Sequence, residues 1–93
     1  MLVTYAECPK CKELIYSRFM HDMHYCSCGS IFVDGGPNST YIRVGTSKPD
    51  ISPSEILVSK KEIPESEQEL YDDWNYNINK LGTIVDYKDD YWS

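Results

Sequence analysis

The chain has no surplus of basic residues, no long apolar run and no cysteine outside one short stretch, and each shortage excludes something. Lys and Arg together number 9 against 15 Asp and Glu, for a net charge of −6. Non-specific binding to nucleic acid relies on neutralising phosphates with Lys and Arg, so neither DNA nor RNA is an expected partner. No run approaches the length of about 20 apolar residues that a membrane-spanning helix needs. The opening Met1-Leu-Val-Thr-Tyr-Ala6 meets Glu7 and Cys8 before an apolar region develops, so no secretion leader is expected. Cysteines without such a leader belong in a reducing compartment, where metal binding is favoured over disulfide formation. A cytoplasmic location is the corresponding expectation.

Ninety-three residues make one domain, or one small domain with an appendage. A core of that size buries too little surface to be comfortable alone, so a staple is expected. Aromatic side chains are plentiful by contrast, with eight Tyr, two Trp and two Phe. The charge is unevenly spread. Residues 1–46 balance Glu7, Glu13, Asp22 and Asp34 against Lys10, Lys12, Arg18 and Arg43, so the whole excess of acid lies in residues 47–93.

What is present is a concentrated metal motif. Cys8-Pro-Lys-Cys11 is followed, after fourteen residues, by Cys26-Ser-Cys28-Gly29, and these are all the cysteines of the chain. Zinc with soft thiolate ligands favours closed four-coordinate sites when its role is structural. Two close pairs fit that chemistry, and Gly29 suits the positive-φ position of a metal knuckle. The expectation is one structural Zn²⁺ held by Cys8, Cys11, Cys26 and Cys28. Four thiolates on Zn²⁺ add about −2 to the local charge. Competing readings are an iron–sulfur centre, a redox-active Cys-x-x-Cys, cysteines without metal, and His24 replacing Cys26 or Cys28 as a ligand. With all four positions filled there is no place for a catalytic water.

Patterning around the cysteines predicts strands over residues 2–6, 14–17, 31–34 and 40–44, with a polar turn from Phe19 to His24 and Gly45 closing the last strand. Alternation puts Ile42 and Val44 on the core face, and Tyr41 and Arg43 together on the other. Residues 46–54 read as a linker or extended crossing. Beyond it two readings stand side by side: a strand at Ile56-Leu-Val58, or a short helix opened by Ser52-Pro53-Ser54-Glu55. Ser66-Glu-Gln-Glu69 has capping-box spacing, and Leu70, Trp74, Ile78 and Leu81 recur at helical intervals. A helix over 66–81 is expected, stopped by Gly82 and with Lys80 in its last turn. Thr83–Tyr87 reads as a final short strand. The class is small α+β: a zinc-ribbon-like antiparallel β domain over 1–46, and an acidic extension over 47–93 whose amphipathic helix packs on it.

A second set of residues carries possible chemistry: His21-Asp22, Asp34-Gly35-Gly36, Tyr41 and Arg43. Arg forks onto phosphate, Tyr stacks on rings, a Gly-Gly backbone admits close approach, and His with Asp makes a hydrogen-bonding pair. The plainer reading gives Gly35-Gly36 to the turn, Asp22 and Asp34 to loop capping, and Tyr41 with Arg43 to a solvated strand face.

Residues 8–45 resemble a family of short zinc-ribbon proteins of bacteriophages and their bacterial hosts. The pattern is Cys8/Cys11, Ile15/Ser17, His21-Asp22, Cys26/Cys28-Gly29, Asp34-Gly35-Gly36, Tyr41/Arg43 and Gly45. The chain departs from it at Val44, where that family often has a second Arg, and in the longer loop at Pro37-Asn-Ser39. The resemblance implies that His21, Asp22, Asp34, Gly35, Gly36, Tyr41 and Arg43 form one site. It also implies a phage origin, and hence a host-cell cytoplasm. The functions expected are, first, a non-enzymatic protein that receives a nucleotide-like or other phosphorylated ligand, as in sequestering a host defence signal. The second is an acidic or DNA-mimicking module acting on a host protein, and the third a small hydrolase using His21 and Asp22. A homodimer is compatible with a thin domain rich in Tyr and Trp.

Overall fold

The computed structural model describes residues 1–38 and 42–84. Its organising strand is β1 (Leu2–Glu7), because the two faces of β1 belong to different cores. Thr4, Ala6 and Cys8 are buried on one side, with Val3 and Tyr5 on the other. That is the period-2 alternation of a strand covered on both faces.

β1 is flanked by β6 (Leu57–Glu62) along its whole length and by β2 (Leu14–Ile15) at Ala6 and Glu7, both antiparallel. Beyond β2 lies β7 (Thr83–Ile84), giving the sheet order β6-β1-β2-β7. Residues after 46 thus supply both outer strands of the sheet that carries the first cysteine pair. A second antiparallel sheet runs β3-β4-β5, from His24–Tyr25, Ile31–Asp34 and Arg43–Thr46.

The first core cluster joins the two sheets through Ala6, Ile15, Ile31, Val33, Ile51 and Ile56, and it includes Cys8 and Cys26. Ile42 and Val44 pack against it while Arg43 is exposed, as strand alternation predicts. The second cluster, on the other face of β1, holds Val3, Tyr16, Ile63, Leu70 and Ile84. Leu70 arrives on α1 (Glu67–Asn75). Among the described residues the outcome is antiparallel sheets with one short α-helix. None of the helices among the described residues is long and apolar enough to cross a membrane.

Several expectations change in detail. Both readings of residues 52–58 are realised in part, the helix as a single 3₁₀ turn and the strand from Leu57 rather than Ile56. Ser52 caps a 3₁₀ turn over Pro53–Glu55, with a reciprocal Glu55 bond to its backbone, and the chain then enters β6. Gly45 lies inside β5, paired with Phe32, rather than closing the strand. A Cβ there would sit 2.6 Å from the Phe32 ring, so the missing side chain makes room for the aromatic.

The helix starts as predicted, with Ser66 and Glu69 forming the capping box, but it ends at Asn75 rather than 81. Asn77 and Asn79 take positive φ (55° and 60°), a conformation Asn tolerates better than most residues. Asp73 then gathers the exit. Its carbonyl accepts from the N–H of Ile78 and Asn79, and its carboxylate from those of Lys80 and Leu81 at 2.9 Å. Ile78 is therefore outside the apolar stripe and 50% exposed, and Lys80 lies beyond the helix. Leu70 is fully buried, Leu81 packs on the second cluster and Trp74 is half-buried. Of the strand expected over 83–87, Thr83 and Ile84 form β7, and the remainder lies outside the described residues.

Gly82 serves the tertiary structure instead of ending the helix. Its φ is +102°, and a Cβ would meet the His24 ring at 2.6 Å. Gly82→Ala combines backbone strain with displacement of a packed imidazole, so a loss of roughly 2–4 kcal/mol is expected. Urea denaturation at neutral pH measures it. An unchanged midpoint would show that the loop yields freely.

Candidate metal centre and the polar loops beside it

Both knuckles are built by local hydrogen bonding. Cys8 sits at the end of β1, and the backbone N–H groups of Lys10 and Cys11 point at its Sγ at 3.3 and 3.4 Å. Lys12 returns its N–H to the Cys8 carbonyl at 2.9 Å, through a residue with φ 67°. In the second knuckle Gly29 donates to the Cys26 carbonyl at 2.9 Å with φ 73°, as a tight turn requires. A carboxylate joins the two. Glu13 accepts from the Ser27 backbone N–H at 2.8 Å and from the Ser27 hydroxyl.

The four Sγ atoms lie within 4.8 Å of one another, with Cys8–Cys28 at 3.6 Å and Cys26–Cys28 at 3.5 Å. A disulfide needs about 2.05 Å, whereas a tetrahedron with metal–sulfur bonds of about 2.3 Å puts its sulfurs about 3.8 Å apart. The spacing thus suits a metal ion and not a bridge. All four cysteines are free.

The electrostatics point the same way. Burial pushes the thiols of Cys11 and Cys26 up, Cys11 to about 12, while Ser30 holds that of the exposed Cys28 down to about 6. Such a group resists full ionisation by itself, and a divalent cation removes the resistance. His24 stands apart from this group of ligand atoms, its ring lying against Gly82.

The remaining sequence-derived site residues fall into distinct surroundings. Asp22 is turned inward. Its carboxylate accepts from the Arg18 backbone N–H at 2.9 Å and from the guanidinium at 2.8 and 3.2 Å. Arg18 is 6% exposed and also donates to Asp73 at 2.8 Å and to the Asn79 side-chain oxygen at 3.0 Å. Nothing local in the sequence marks this cation as buried. An Arg flanked by polar residues carries no signal that its partner lies 55 positions away.

His21 points outward, with its ring 5.6 Å from that of Phe19. Asp34 is buried and paired across the β4–β5 ladder with Arg43, whose side chain is 74% exposed. Gly35 and Gly36 both have positive φ, and the Gly36 N–H donates to Ser17 Oγ at 3.1 Å. The same oxygen lies 2.7 Å from the carbonyls of both Phe19 and Asp22, which share its single hydroxyl hydrogen. Ser17 therefore ties the His21-Asp22 turn to the Gly-Gly loop, and Pro37 binds that loop to β1 by accepting the Thr4 N–H at 2.7 Å. Tyr41 lies outside the described residues.

Residues 1–46 match the model of a family described as a domain of unknown function, DUF7695. The matched segment contains both cysteine pairs, the Arg18–Asp22 turn and the Asp34–Arg43 pair. No curated protein and no solved structure matches the chain.

Proposed function

We propose that this is a non-enzymatic binding protein whose fold is held by a structural Zn²⁺ on Cys8, Cys11, Cys26 and Cys28. The observation that supports the reading is the group of four sulfurs within 4.8 Å of one another, donors enough to complete a four-coordinate site of the structural kind without water. A hydrolase built on His21 and Asp22 has less support, because the Asp22 carboxylate is committed to Arg18. The zinc-ribbon resemblance and the implied phage origin belong to this proposal and rest on the sequence pattern of residues 8–45.

The ligand reading places a nucleotide-like or other phosphorylated molecule at the Gly35-Gly36 loop beside Arg43, with Tyr41 added on the sequence pattern alone. The exposed guanidinium of Arg43 and the tethered loop support it. Asp34 already neutralises part of the Arg43 charge, so an incoming phosphate has to compete with that carboxylate. Sequestration of a host defence signal is the biological role this would serve. Calorimetric titration with a panel of nucleotides, cyclic dinucleotides included, is expected to give saturable binding that Arg43→Ala weakens at least tenfold. Equal binding by Arg43→Ala and Tyr41→Ala proteins would remove the site.

A second reading, an acidic module that meets a basic protein, is favoured by the character of α1. Glu67, Gln68 and Glu69 are exposed there, and no basic residue occupies its last turn. Recovery of a partner from bacterial lysate at low salt, lost at high salt, is its expected signature.

A further inference from the structure

We propose that a shallow cleft formed by Phe19 and the outer face of α1 receives an arginine side chain from a basic segment of a partner protein. The inference rests on the acidic-module reading and gives that module a location. The cleft measures about 370 Å³ and is lined by Phe19, Glu67, Gln68 and Tyr71. Its floor is aromatic. The Phe19 ring lies 4.8 Å from that of Tyr71, nearly edge-on at 71°, and 5.0 Å from that of Trp74. Each of these three rings is only half-buried, so the cluster keeps π-surface facing water after folding.

Glu67 and Tyr71 are one helical turn apart on the same face of α1. Glu67 has no cation paired with it among the described residues. Gln68, on the adjoining wall, already donates to Asp72 at 3.0 Å. The helix N-terminus leaves little positive potential for an anion here, because the Ser66–Glu69 capping box covers it with a carboxylate.

An aromatic floor beside an unpaired carboxylate is complementary to a planar cation. A guanidinium stacks on the ring and presents its N–H fork to the acid at the same time. A lysine ammonium satisfies the charge but stacks less well. The net charge of −6 extends the attraction beyond the cleft and speeds encounter with a basic partner.

The test uses the full, metal-loaded chain and a blocked hexapeptide, acetyl-Ala-Arg-Ala-Ala-Arg-Ala-amide, with Lys and Glu counterparts. Binding is followed by backbone amide shifts. The arginine peptide is expected to saturate shifts at residues 19–21 and 67–74, to bind more tightly than the lysine peptide, and to leave the glutamate peptide inert. Glu67→Gln and Tyr71→Leu should each weaken it about fivefold, with metal content and circular dichroism unchanged. Shifts confined to other acidic surfaces would overturn the cleft while leaving the acidic module standing. No binding anywhere overturns both. Saturation of the cleft by tetramethylammonium as readily as by the peptide overturns the assignment to a protein side chain.

Discussion

Chelation of the metal is expected to unfold the chain, as is Cys8→Ser. Cys8 and Cys26 belong to the first core cluster, so the proposed ligands are also structural side chains of the interior. Structural zinc contributes about 10–16 kcal/mol to the folding of small zinc domains near pH 7. A domain of this length has a net stability of roughly 5–14 kcal/mol. Loss of the ion is thus comparable to the whole. Circular dichroism during titration with a strong chelator should show one cooperative loss of structure, with released zinc measured at one per chain by a colorimetric indicator. Metal analysis of the purified protein separates zinc from an iron centre. Retention of the full fold by the metal-free protein would refute the structural role. Cys28→Ser is expected to be milder than Cys8→Ser, because Cys28 lies at the exposed corner of the group and Cys8 inside the core.

Arg18→Ala should be the most damaging single substitution away from the metal, at about 3–5 kcal/mol. The guanidinium is buried between Asp22 and Asp73, whose side chains are themselves 5% and 4% exposed. Removing it leaves two buried carboxylates without their shared cation. It also loosens the attachment of α1 to the turn at residues 17–22, since Asp73 is the helix's link to Arg18. Burial alone would raise the Asp73 carboxyl. The bonds from Arg18 and from the N–H groups of Lys80 and Leu81 outweigh burial and hold it below the ordinary carboxylate range.

A depressed acid contributes stability that is present above its unfolded pKa, about 3.9, and lost as pH falls through the lower folded value. The native protein should therefore lose stability on acidification below about pH 4. Arg18→Ala should show a flatter acid limb, because the Asp73 carboxylate no longer gains from the guanidinium. Denaturant midpoints across pH 2–7 for both proteins check this. Parallel profiles would mean that the ion triad contributes little.

The way the helix ends shows where sequence reading stops. Leu70, Trp74, Ile78 and Leu81 have helical spacing, and spacing alone continues the helix to Gly82. The structure ends it at Asn75 because the Asp73 carboxylate takes the N–H groups of Lys80 and Leu81 while facing Arg18. No local pattern announces that competition. Gly82 was visible as a glycine near a helix end, but its requirement comes from His24, 58 residues earlier. Phe19 read as part of a polar turn, and only the docking of α1 puts it beside Tyr71 and Trp74. Asp22 had the residue type of an exposed functional acid and is a buried ion-pair partner.

The sequence by itself determined the cysteine cluster, the cores of β1 and β4, the Ser66 cap and the positive-φ glycine of the second knuckle. Each of these depends on residues close in the chain, where spacing and backbone preference leave few alternatives. Tertiary structure alone decided that β6 pairs along the length of β1, that Arg18 is buried between Asp22 and Asp73, and that an aromatic cleft stays open beside Glu67. Those outcomes depend on partners distant in sequence, and a residue's type does not reveal which partner desolvates it. The four cysteines could therefore be found by reading along the chain, while the surfaces proposed for binding exist only after the two halves meet.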